Sequence, residues 1–130
     1  VEGIDEILKD IEKSQMEEIV YPLMPNGWTE EISYFTMDEF SSKIRENGGI
    51  SVVGSSAINE KYNTDGFCPI DGEIIRGCDH LSAFLEGVLS IKNGVAANSL
   101  LEGIYNLKEA YKDKNIAGID FSKYFDTKIY

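Results

Sequence analysis

The chain has 130 residues, 42% of them hydrophobic, which is the size of one domain with enough apolar material for a core that needs no staples. Twelve basic residues against 23 acidic ones leave a net charge of -11. A field of that sign repels a phosphate backbone and an anionic bilayer, so neither nucleic acid nor membrane is expected as a partner. Two cysteines, Cys68 and Cys78, allow one disulfide at most. With no signal peptide and no transmembrane run, the expected location is cytoplasmic.

The first predicted element is a helix over residues 3–21. Ile4, Ile7, Leu8 and Ile11 form an apolar stripe, followed by Met16, Ile19 and Val20, and Pro22 and Pro25 stop it. After an Asn-Gly-Trp turn, Thr29 is the expected N-cap of a second helix over 29–46. Its bulk comes from Ile32, Tyr34, Phe35, Met37, Phe40 and Ile44, whose uneven spacing also admits two short helices. Gly48, Gly49, Gly54, Gly66 and Pro69 then punctuate an irregular insertion or small hairpin around 48–70.

A third helix over 72–92 places Ile75, Cys78, Ser82, Leu85 and Leu89 on one face, widened by Ile74, Leu81 and Val88. Such width predicts a central helix covered on more than one side. Asn93-Gly94 ends it. A fourth helix over 95–113 carries Leu100, Leu101, Ile104, Leu107 and Tyr111. The tail, 114–130, holds Ile116, Ile119, Phe121, Tyr124, Phe125, Ile129 and Tyr130, and is expected to pack on the body or on a second subunit. The fold class expected is all-α: a helical bundle in a single domain or domain fragment.

His80 is the only histidine, which excludes HExxH proteases, His-rich zinc sites and any site needing two imidazoles from one chain. Walker A, GxGxxG and GxSxG patterns are missing too. Asp79 stands out at the margin of the third helix's apolar face, with Glu86 seven residues on and on the same side. A half-buried carboxylate requires a metal ion, a basic side chain or a helix N-terminus beside it. Pairing with Arg76 or a distant lysine is the structural alternative. His80 is expected to cap, pack or meet solvent, and Cys78 to be a small core residue. The acidic residues of the first two helices, Asp10, Glu12, Glu17, Glu18, Glu30 and Glu31, read as solvated faces.

The segment IIRGCDHLSAFLEG resembles the last metal-ligand helix of the HD-domain metal-dependent phosphohydrolases, in particular the 5'-nucleotidase-like branch. Asp79 falls on the family's aspartate, and Leu81, Ala83, Phe84 and Leu85 fall on the apolar positions after it. IEKSQMEEIVYPLMPNGWTEEI is similar to the family's helix–Pro–Trp–helix passage. The resemblance runs from about Val1 to about Tyr111, with 41–69 matching poorly. The family's first His and its His-Asp pair have no counterpart here, because His80 follows its aspartate instead of preceding it.

The resemblance therefore implies the C-terminal half of a hydrolase acting on a nucleotide or small phosphomonoester. Asp79 would be a metal ligand, and Glu86 would reach the substrate or the residues behind the ligands. In the intact parent a divalent ion (Mn, Co, Mg, Ni, Zn or Fe) would lower the pKa of a bound water and offset charge on the phosphoryl group. One carboxylate does not hold such an ion, so this chain alone is expected to retain none and to be inactive. The start at Val1 adds the expectation of a truncation or a trimmed tag. Loss of covering helices would bare the face around Ile75, Cys78 and Leu85, and a homo-oligomer is expected. The alternative function is a non-catalytic helical module for protein binding or self-association.

Overall fold

The computed structural model describes residues 2–36 and 38–126. They are mostly helical, with two small antiparallel hairpins, and fall into two compact units, Val1–Glu39 and Phe40–Tyr130. Among the described residues no helix is long and apolar enough to cross a membrane.

In the first unit, α1 (Glu2–Gln15) runs into a π-helical turn, Met16–Val20, and a 3-10 turn, Tyr21–Leu23. Pro22 sits inside that last turn, and the chain becomes extended at Met24. Gly27 takes the positive φ of +89 that turns the chain into α2 (Trp28–Thr36). Thr29 lies inside that helix instead of capping it. The Tyr21 and Thr36 hydroxyls meet at 3.4 Å, and Tyr34 is buried. The stripe Ile4, Ile7, Leu8 and Ile11 is exposed.

The helix expected over 29–46 stops at Thr36, and Lys43–Glu46 is instead a strand, β1, paired with β2 (Gly49–Val52). The register Glu46 to Gly49 and Lys43 to Val52 leaves Asn47-Gly48 as a two-residue turn. Both turn residues have positive φ, the conformation that suits Asn-Gly and matches strand twist. The hairpin thus begins five residues before the expected 48–70 insertion. Lys43 also exchanges both backbone hydrogen bonds with Ile70, at 2.9 and 2.8 Å. Between them lie a short helix, α3 (Ser55–Ala57), and the turns Ile58–Tyr62 and Asp65–Phe67. Ile44 and Ile58 are buried there.

The long helix α4 spans Gly72–Lys92. At its start Asp71 accepts from the amides of Glu73 (3.0 Å) and Ile74 (3.4 Å), and from Ser55 Oγ and Asn59 Nδ2. At its end Gly94 has a φ of +93. Its amide reaches Ile91 O and the Val95 amide reaches Ser90 O, a Schellman closure. The next helix, α5 (Asn98–Ala110), is shorter than expected, because Ala97 is extended.

Helices α4 and α5 pack around a core of Phe84, Val88, Ile104, Tyr111, Ile116, Phe121 and Phe125. The tail enters that core through a second hairpin, β3 (Asn115–Ile116) and β4 (Ile119–Asp120), and a 3-10 turn, Phe121–Lys123. Phe125 stacks on Tyr111 with centroids 4.3 Å apart and planes 4° apart. Burying such rings contributes about 1.5–3 kcal/mol each. The tail is therefore packed on the body; Ile129 and Tyr130 lie outside the described residues.

The wide apolar face read for α4 is covered only in part, at Val88, and is bare around Ile75, Cys78 and Leu85. Ile75, Cys78, Ser82, Leu85 and Leu89 are exposed, and the buried face is Gly77, Phe84, Gly87 and Val88, with Ile74, Leu81 and Ile91 at its edges. Glycine explains the difference, since it adds no hydrophobic signal yet permits the closest packing. A Cβ on Gly77 would stand 2.6 Å from the Phe121 ring, and one on Gly87 would stand 2.9 Å from Ile104.

Gly77→Ala is therefore predicted to destabilise the fold by about 1–3 kcal/mol. Gly103→Ala, on α5 with open space around it, should stabilise by about 0.5–1 kcal/mol. Urea unfolding followed by circular dichroism checks both; equal effects would contradict the packing described.

Candidate functional site

The Asp71 cap starts α4, and Asp79 follows two turns later. Asp79 is exposed, and among the described residues its carboxylate makes no hydrogen bond or ion pair. The alternative partner, Arg76, is one turn back, but its guanidinium lies over the Phe40 ring, 5.1 Å from the centroid. Phe40 is fixed nearby because its carbonyl fills the space where Gly72 lacks a Cβ. The Gly72 amide also donates to Ser42 Oγ at 3.0 Å. Glu86 is likewise exposed and without a hydrogen bond or ion pair among the described residues.

His80 packs. Its Nδ1 is 2.9 Å from the Tyr111 hydroxyl, and the rings meet edge to face. Burial pushes the Tyr111 phenol above its ordinary value of 10.0; the Arg76 charge opposes that rise, while Asp79 and Cys78 add to it. Tyr111 thus keeps its proton at neutral pH and remains available to the hydrogen bond with His80.

The two expected site residues, Asp79 and Glu86, share the outer side of α4, but no third ligand joins them among the described residues. Among the described residues no group of three or more His, Cys, Asp or Glu side chains comes together as a metal-holding set. Cys78, expected in the core, is an exposed free thiol, and Cys68 is exposed with its thiol donating to Asp65 O at 3.5 Å. The sequence reading passed over Asp71, whose place directly before the helix was the available signal. It also passed over Tyr111 as the partner of His80, for which 31 residues of separation left no local signal.

The raised Tyr111 value carries a sign. A phenol held protonated in the fold stabilises it fully below the unfolded value of 10.0. That contribution is lost as pH rises through the higher folded value. Tyr111→Phe should cost about 1 kcal/mol near neutral pH through the lost hydrogen bond and should flatten the loss of stability in alkali. Urea unfolding at several pH values up to alkaline conditions checks this; an unchanged alkaline slope would contradict the assignment.

No protein-family model, curated protein or solved structure matches the chain.

Proposed function

We propose that this chain forms part of a divalent-metal-dependent phosphohydrolase of the HD-domain kind, acting on a nucleotide or small phosphomonoester in the cytoplasm. Asp79 supplies one anionic metal ligand and Glu86 contacts the substrate or the residues behind the ligands. The remaining ligands come from outside these 130 residues, and the chain alone is catalytically incomplete. The observation that carries the reading is the state of Asp79: an exposed carboxylate, free of hydrogen bonds and ion pairs among the described residues, beside an apolar face that is also exposed. Such a carboxylate is open to a metal ion or to ligands from another segment, whereas one that orients helices is engaged by a basic partner.

The second reading is a non-catalytic module that binds a partner or self-associates. The exposure of Ile75, Leu85 and Leu89 favours it.

Metal content after manganese loading and dialysis without chelator tests the first reading. No stoichiometric ion is expected on the 130-residue chain. In a longer polypeptide that carries it, about one ion should be bound, and Asp79→Asn should remove that ion together with phosphomonoester hydrolysis. An ion held tightly by the chain alone, or retention indifferent to Asp79→Asn, would overturn the reading.

A further inference from the structure

The exposed face of α4 is ordered along its length. Ile75, Cys78, Ser82, Leu85 and Leu89 recur at steps of three and four residues, the spacing of a helix that packs against another helix. Ile75 is 39% exposed, Leu85 41% and Leu89 58%. None of this surface is needed for the chain's own core, which lies against the opposite face. The middle of the seam is small, so Cys78 and Ser82 form a notch between the bulk of Ile75 and that of Leu85. From Ile75 to Leu89 the seam is about 21 Å long, which a partner helix of about 18 residues covers.

The two flanks differ. On the core side lie Ile74 and Leu81, half-buried. On the open side lie Asp79 and Glu86, with no ion pair among the described residues. The nearest cation beyond them, Arg76, is drawn over Phe40, and Lys92 closes the seam at its far end.

We propose that the outer face of α4 binds a basic amphipathic helix of another protein. Its apolar side seats on Ile75, Leu85 and Leu89, with a bulky side chain in the Cys78–Ser82 notch, and its Lys or Arg residues lie against Asp79 and Glu86. A second copy of the chain fits this face poorly. An antiparallel pairing centred on Ser82 sets Asp79 of one chain against Glu86 of the other. A parallel pairing sets both carboxylates against Ile74 and Leu81, desolvating them without a partner. The net charge of -11 on each chain opposes either. The inference deepens the second reading, a module that binds a partner, on which it rests, and it does not depend on the metal-ligand reading.

The probes are two synthetic helices of about 18 residues with leucine at the seam positions, one with lysine on both flanks and one with glutamate. Each is titrated calorimetrically into the full chain. The lysine peptide should bind about tenfold or more tightly than its glutamate twin, with the advantage shrinking as salt rises. Leu85→Glu should weaken binding by about tenfold, and Glu86→Lys should narrow the preference between the peptides. Leu85 is exposed, so the variant keeps the fold, which its melting curve confirms; Tyr105→Glu, an exposed site on α5, should leave binding unchanged.

Failure of both peptides to bind, equal binding of the two, or indifference to Leu85→Glu would overturn the proposal. So would a dimer in sedimentation velocity that Leu85→Glu dissociates, because a second copy would then own the seam. None of these results bears on metal retention, so the two readings fail separately.

Discussion

The second unit is organised by how closely α4 lets its neighbours approach. At Gly77 the Phe121 ring occupies the place a Cβ would take, and at Gly87 the Ile104 side chain does the same. These contacts bring the tail and α5 onto one face of α4, and with them the stacked pair Tyr111 and Phe125. At the helix N-terminus Gly72 performs a similar task against the Phe40 carbonyl. There the Asp71 carboxylate also ties the cap to Ser55 and Asn59. Three glycines and one aspartate therefore set where α4 lies, and the large apolar residues fill the space so defined.

This arrangement uses only half of α4. The residues that make its inner face leave Ile75, Cys78, Ser82, Leu85 and Leu89 outside, with Asp79 and Glu86 beside them. An ordered apolar seam of this length on a surface marks a place where something can pack, and the two carboxylates set the charge along its edge. Both functional readings begin there. In one, Asp79 awaits further metal ligands; in the other, the seam awaits a helix. Asp79 is open to a positive charge from outside, as a metal ion or as a lysine.

The extent of α4 was legible because its signals are local: apolar periodicity across Gly72–Lys92, and Asn93-Gly94 to close it. Which face turns inward was not, since hydropathy weights Ile75, Leu85 and Leu89 heavily and gives Gly77 and Gly87 no weight. The first hairpin was displaced for a related reason. Apolar residues at Phe40 and Ile44 extended a helical reading across a strand whose Asn47-Gly48 turn argued otherwise. Asp79 and Glu86 share one side of the helix as read, but the lack of an ion pair at Asp79 among the described residues depends on where Arg76 goes, and that is decided by Phe40. The His80–Tyr111 hydrogen bond joins distant parts of the chain, and no local pattern announces it.

The claim that everything here rests on is that α4 keeps its outer face open while its inner face is packed. Cys78 lies in the middle of that outer face and is a free, exposed thiol. The most direct measurement is the alkylation rate of Cys78 in a Cys68→Ser chain under native conditions, compared with the rate in urea. An open outer face gives a native rate within about threefold of the unfolded one, as for a thiol outside any protected core. A native rate slower by about a hundredfold or more would contradict this, because the face would then be covered.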